Sequence, residues 1–328
     1  MNRLPVVALV VVVLLGACPG RPAVAQDAFP TRPITVWVGF PAGGGTDILT
    51  RALAEGAEKI LGQKLVVVNK PGASGTVAMT ELVKSKPDGY TLLSNTDTPV
   101  TRSPHLRDLD YDPFRDVTYL LQFARYKVVW AVRTDSPFQT WREVVEWAKK
   151  HPGQLTFGHP GVASTPNLVM TRLAAKDGFT FRSVPFAGDA PAAGALLGGH
   201  VAMVGGSSAS FTGYVQAKRM RILLLNEKEG LEYAPDAPSL ERAGYNVESA
   251  TVLILTAPRG LPRPVAERLE RAFAEAMKTE PFVSVARKNE TIVGEPVIGQ
   301  ALADYVKKLN ANYEQLIKDA GLYKSERK

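Results

Sequence analysis

Cysteine is nearly absent: Cys18 is the only one in 328 residues, and it sits in an apolar stretch near the N-terminus. That excludes a disulfide framework and any cysteine-based metal site. Histidine is scarce too. His105, His151, His159 and His200 are scattered, and none has a second His, Cys or acid beside it at ligand spacing, so neither a metal nor a cofactor is expected. Ser164 lacks a G-x-S-x-G frame, so nothing local marks a hydrolase nucleophile. The formal net charge is +7, yet no cluster of five or more Lys and Arg occurs. This fits a solvated surface that attracts small anions and argues against a nucleic-acid partner.

Long apolar runs are confined to the first residues. "MNRLPVVALVVVVLLGACPGRPAVAQ" has Arg3, an apolar run from Leu4 to Ala17, and a small-x-small "AVA" before Gln26. This reads as a secretory signal peptide over 1–25. Its removal takes two arginines and no acids, leaving +5. A competing cut exists, because "LLGAC" at 14–18 resembles a lipobox that would leave Cys18 lipidated at a membrane surface. Either cut exports the chain. No later apolar run reaches 18 residues, so the mature protein is expected to be soluble and extracytoplasmic.

Beyond the leader the chain is rich in strand–helix alternation. "ITVWVGF" (34–40) is strand-like. Leu49, Ala52, Leu53, Gly56, Ala57 and Ile60 then fall on one helical face, with Thr46 or Asp47 available as a cap and Gly62 as a stop. "KLVVVN" (64–69) reads as a strand buried on both faces, and "TLLSN" (91–95) as a third strand. The order predicts a parallel sheet with right-handed crossovers. A second α/β unit begins with the capping box "TWRE" at 140–143. After "ESATVLILTAP" (248–258) only helices are expected, and they need the first sheet to cover. The fold class is therefore α/β, with two lobes. The first comprises 26–123 with 251–328, and the second 124–250. The chain crosses twice, near 123–130 and 249–256, and leaves a cleft between the lobes.

Three loops rich in small residues lie at C-terminal ends of strands, where ligands bind in such sheets. The first, "GFPAGGGTD" (39–47), lacks the Lys of a phosphate-binding P-loop and the final Gly of a dinucleotide fingerprint, and Asp47 at its mouth would repel phosphate. Its free N–H groups and the helix dipole favour a carboxylate instead. A side chain at Gly44 or Gly45 would block the anion and strain the backbone. The second, "GHPGVASTPN" (158–167), offers Ser164 and Thr165 at a helix start, and His159 could hydrogen-bond an anion. The third is "PFAGDAPA" (185–192). Asp189 there could meet a ligand ammonium, although an N-cap role explains it more simply. Trp37, Trp130, Trp141 and Trp147 read as packing residues.

Several longer motifs occur in one order: "FPTRPITVWVGF", "PAGGGTD", "LGQKLVVVNKPGASG", "KPDGYTLL", "YDPFRDV", "PGQLTFG", "VPFAGDAPAAGALLGGHV" and "APRGLPRPV". From about Phe29 to Gly321 the chain resembles the tripartite tricarboxylate transporter receptors, the Bug-type extracytoplasmic solute-binding proteins. The resemblance implies a type II periplasmic-binding-protein fold. It also implies capture of a small carboxylated solute by backbone amides, hydroxyls and waters, delivery to a membrane permease, and a monomer without enzymatic activity. Matched position by position, the ligand-binding residues it implies are Pro41, Ala42, Gly43, Gly44, Gly45, Thr46 and Asp47 in the first loop. Ser94, Asn95 and Thr96 come after "GYTLL". Gly161, Ser164 and Thr165 come from the second loop, and Ala187, Gly188 and Asp189 from the third. Val162-Ala163 stand where the family often has Asn-Gly, and Ala202 stands where an acid is common, so the usual ligand does not transfer directly. An exported enzyme or a sensor using the same cleft is the alternative reading.

Overall fold

A computed structural model of the protein describes residues 29–324, apart from Glu229, Glu248 and Ala320. The expected leader, the cut before Gln26 and Cys18 lie outside the described residues.

Eleven described strands form two sheets. In chain order they are β1 (Ile34–Val38), β2 (Leu65–Asn69), β3 (Thr91–Thr96), β4 (Val117–Tyr126), β5 (Val128–Arg133) and β6 (Thr156–His159). Next come β7 (Arg182–Pro185), β8 (Met203–Ser207), β9 (Met220–Leu225), β10 (Thr251–Pro258) and β11 (Val297–Ile298). The first sheet has the order β11-β4-β10-β3-β1-β2, and the second the order β7-β6-β8-β5-β9. β1, β2 and β3 run parallel, as the alternation with helices requires, while β10 enters antiparallel between β3 and β4. The first sheet is therefore mixed. The second repeats the scheme, with β6, β7 and β8 parallel and β5 antiparallel to both β8 and β9. Two such sheets joined by crossing segments make a type II periplasmic-binding-protein-like fold.

Local chemistry sets most element ends. The helix Trp141–Lys150 starts on a complete capping box: Glu143 N–H donates to the Thr140 side chain, and Glu143 Oε2 accepts from Thr140 N–H. The helix Gly45–Leu61 ends at Gly62, whose φ of +69° suits glycine. Its start differs from the sequence expectation. Gly44 is the N-cap and no side chain caps, because Thr46 and Asp47 already lie inside the first turn. The strand β2 differs as well. It is an edge strand with Val66 and Val68 exposed, not a strand buried on both faces. β4 and β5 form a long apolar stretch that the helix and turn signals around it do not announce.

The late helices return to the first lobe. Arg263–Ala276 and Glu280–Lys288 pack on the helix Gly45–Leu61, and Gly299–Asp319 lies against β4. They are not alone there, because the two-residue β11 pairs with Gln122 and Leu121 of β4 and extends the first sheet. The approach is close at Gly56, where a Cβ would stand 2.3 Å from Thr279 Oγ1. One apolar cluster runs through both lobes, from Val36 and Leu53 to Trp130, Phe157 and Met170. A second cluster covers the far face of each sheet.

The chain crosses between sheets at two places. Only Lys127 separates β4 from β5, and the second crossing leaves β9 and ends where β10 begins at Thr251. Asn226 ties the two together: its Oδ1 accepts from Val128 N–H at 2.7 Å and its Nδ2 donates to Ser249 O at 3.0 Å.

Candidate functional site

The two lobes meet along a cleft built at the C-terminal ends of β1, β3, β6 and β8. Two helix N-termini from opposite lobes line it: Gly44, Gly45 and Thr46 on one side, and Ser164, Thr165 and Pro166 on the other. The cleft is small, with a cavity volume of about 40 Å³. Its small bore suits a compact ligand.

The lobes touch directly around this space. Gly45 N–H donates to Ser210 Oγ at 2.7 Å, and Thr165 Oγ1 shares a 2.6 Å hydrogen bond with Thr251 Oγ1. At one rim a Cβ on Gly161 would lie 2.0 Å from Ser74 Oγ, and at another a Cβ on Gly188 would lie 2.7 Å from Pro41 Cδ. These two glycines let the lobes close over the cleft. Tyr126, at the first crossing, donates its hydroxyl to Thr46 Oγ1 at 2.9 Å, and burial pushes its pKa well above the ordinary phenol value. It acts as a neutral donor.

The structure brings some of the sequence-derived positions to this cleft and turns others away. Pro41, Gly44, Gly45, Thr46, Thr96, Ser164, Thr165 and Asp189 line it. Ala42 and Gly43 do not; Gly43 turns the loop at φ +77°. Gly44 has φ −78°, so a side chain there would not strain the backbone as expected, and its Cβ would meet only Pro41 O, at 3.4 Å. Gly45 is the crowded position, because a Cβ would lie 2.7 Å from Ser207 Oγ.

Asp47 is not at the mouth of the loop. It folds back to accept from Gly43 N–H, Arg51 Nε and Asn69 Nδ2, each at 2.9 Å. Burial raises its pKa, but these hydrogen bonds outweigh it and leave the carboxyl below its ordinary range. Ser94 is fully buried against Thr50. Asn95 is buried between Gly39 and Gly75, neither of which could carry a Cβ without meeting it. Both support the loops from beneath. Gly161 and Ala187 line a neighbouring groove with Leu106 and Val162, and Gly188 serves the rim contact.

His159 faces inward as well. Its Nδ1 meets Gly161 O at 2.8 Å, its Nε2 meets Ser183 Oγ at 2.6 Å, and burial pushes its pKa down to about 4. The ring is neutral at pH 7 and holds the second loop in shape without offering a cation to a ligand.

Asp189 departs from the expectation of an N-cap. Gly188 caps the helix Asp189–Leu197 and no side-chain cap bond forms. The carboxylate turns into the cleft, where Oδ2 accepts from Ser207 Oγ at 2.6 Å, Ser210 Oγ at 3.0 Å and Ser207 N–H at 3.3 Å. Burial raises its pKa, and the two serines and the Ser207 amide oppose that rise without cancelling it. Its Oδ1 is buried without a partner.

Other lining groups are not among the sequence-derived positions. Ser74 sits in the "PGASG" loop that precedes a helix, a small-residue signal of the same kind as the three loops above. Gly206 and Ser207 close "VGGS" on β8, and this strand end carries a similar signal. Phe40 belongs to the first loop, while Tyr126, Val128 and Thr251 carry no such signal, since they reach the cleft only because the crossings pass beneath it. Below them Arg102, fully buried, pairs with Asp97 and donates to Thr98 Oγ1 at 2.6 Å and Ala250 O at 2.7 Å. Its guanidinium stacks 3.9 Å from the centre of the Tyr313 ring. This network ties the cleft floor to the second crossing and the last helix.

Comparison with known proteins agrees with this geometry. Residues 49–322 match the family described as "Tripartite tricarboxylate transporter family receptor". A "UPF0065 protein in gbd 5'region" of Cupriavidus necator is 37% identical over 300 residues, 90% of this chain and 91% of that protein. The solved periplasmic binding protein BugD superposes with a TM-score of 0.86 at 26% identity, over 90% of this chain and 99% of that one. MatC from Rhodopseudomonas palustris, solved with bound malate, superposes with a TM-score of 0.82 at 25% identity, over 88% of this chain and all of that one.

Proposed function

The chain belongs to the tripartite tricarboxylate transporter receptors, extracytoplasmic solute-binding proteins, and from that premise we propose how this member holds its ligand. A small carboxylate lies between the helix N-termini at Gly45 and Thr165, with hydroxyls from Thr46, Ser74, Ser164 and Ser207 around it. The observation that carries this reading is the pairing of two helix N-termini, one per lobe, across a single compact cleft. Among the described residues no basic side chain lines that cleft, so the anion is met by dipoles and hydroxyls. The malate seen in the related MatC supports the ligand class.

Each chain contributes both halves of the cleft, which supports a receptor acting as a monomer. Delivery goes to the membrane permease of a tripartite tricarboxylate-type transporter, the partner that family membership implies. The permease would distinguish loaded from empty receptor by lobe closure. An exported enzyme using this cleft would consume its ligand, whereas a receptor returns it unchanged.

A thermal-shift screen with a panel of small carboxylic acids tests the proposal. At least one acid should stabilise the protein saturably, by about 2.7 kcal/mol at a hundred times its Kd, and be recovered intact. Gly45→Val should abolish that shift, because its side chain would occupy the space of Ser207 Oγ and Tyr126. A panel without any stabilising acid, or an acid that is chemically altered, would overturn the reading.

A further inference from the structure

Two polar atoms in the cleft are buried without partners, Ser164 Oγ and Asp189 Oδ1. They differ in what they can receive. Ser164 is the N-cap of the 13-residue helix Thr165–Asp177, yet its hydroxyl makes no cap bond. It is 6% exposed and lines the cleft at the positive end of that helix, so it can donate to an anion. Asp189 is the reverse case. Its Oδ2 is already met by three donors, and Oδ1 lies against Gly206, where even a Cβ would approach to 2.5 Å. An oxygen in this setting lacks a donor, and a buried acceptor left unpaired is destabilising, the more so when it carries charge.

We propose that the ligand is a small carboxylate bearing a second group that donates a hydrogen bond, an amino or a hydroxyl group, which Asp189 Oδ1 accepts while Ser164 and its helix N-terminus take the carboxylate. This rests on the carboxylate-binding reading above and narrows it. The relay in the cleft favours the same division of roles. Gly45 N–H donates to Ser210 Oγ, and Ser210 Oγ donates to Asp189 Oδ2. One N–H of the first-lobe helix terminus, that of Gly45, is thereby engaged through Ser210 with a protein carboxylate, which turns the ligand's own carboxylate toward the second-lobe terminus. A second plain carboxylate beside Asp189 would meet like charge in a buried site. The compact cleft adds a limit on size, so three- and four-carbon acids are the fitting probes.

Two matched sets test the proposal by calorimetry at pH 7.5: propionate, lactate and alanine, and succinate, malate and aspartate. In at least one set the hydroxy or amino member should bind ten-fold or more tightly than its unsubstituted parent. In Asp189→Asn, checked for an unchanged circular dichroism spectrum, that preference should fall below three-fold. Ser164→Ala should weaken all binding members of a set by a similar factor, because it touches the shared carboxylate. If a parent acid binds as tightly as its substituted partners in wild type, this inference fails and the carboxylate reading stands. If the preference survives in Asp189→Asn, Asp189 is not its source and the inference likewise fails. If no member binds, and none of the wider acid panel does, both readings fall together.

Discussion

His159 shows how a cleft residue can matter without touching a ligand. Its Nδ1 is spent on Gly161 in its own loop and its Nε2 on Ser183 of β7, and the ring is fully buried. Its pKa falls from 6.5 to about 4 on folding, so the folded state resists its protonation. The unfolded chain then binds a proton first as the solution is acidified. The stability tied to a neutral ring is whole above pH 6.5 and is lost as pH falls through the window down to about 4. The difference corresponds to ~3 kcal/mol. Urea unfolding at pH 7.5 and pH 4.5 checks this: His159→Gln should lose less stability between the two than wild type, by up to about that amount. An equal loss in both proteins would mean that other groups carry the acid sensitivity.

At the scale of elements, Asn226 is the joint. Replacing it with Ala leaves Val128 N–H and Ser249 O without the partners that bind the two crossings to each other. We expect Asn226→Ala to cost about 2–4 kcal/mol, as two satisfied groups become orphans. Hydrogen exchange at Val128 should speed up in the variant while exchange in β1 and β8 stays slow. Uniform acceleration would instead indicate general destabilisation.

Elements are legible in the sequence where period and punctuation agree. The helix Gly45–Leu61 carries a full apolar stripe and a terminal Gly62, and the capping box at Thr140 names its helix outright. β2 misleads because "LVVV" looks the same on a central and an edge strand, and pairing decides which it becomes. β4 and β5 are hard to see for a related reason. Their residues run from one sheet into another with a single Lys127 between, so no turn chemistry marks the change. In the site, positions on glycine loops are legible, but which of them face the cleft is not. Ser94, Asn95 and Thr96 are consecutive, yet only Thr96 reaches it, since pairing with β10 and the packing of Asn95 against Gly39 and Gly75 turn the others away.

For the molecule as a whole, closure depends on small residues at the rims. Gly161 meets Ser74 and Gly188 meets Pro41 with no space for a Cβ, and Gly161 has φ +130°, which also disfavours any side chain. Gly161→Leu should hold the lobes apart. Small-angle scattering with the best-stabilising acid should give a larger radius of gyration for the variant than for wild type, and its affinity should fall at least ten-fold. A variant with wild-type radius and affinity would show that the rim is free to yield.

The single-residue crossing at Lys127 has a mechanical meaning. A rotation about the paired crossings is a lever whose fulcrum lies within a residue or two of Tyr126, Val128 and Thr251, all of which face the cleft. Groups at a fulcrum hardly move, while groups carried on the loops sweep an arc. In such a rotation the floor of the cleft would keep its shape whether the lobes are apart or together, and an arriving solute could settle there before the jaw shuts. The loops at Pro41, Gly161 and Gly188 would travel farthest in that rotation, and with them the outer face that a membrane partner would read.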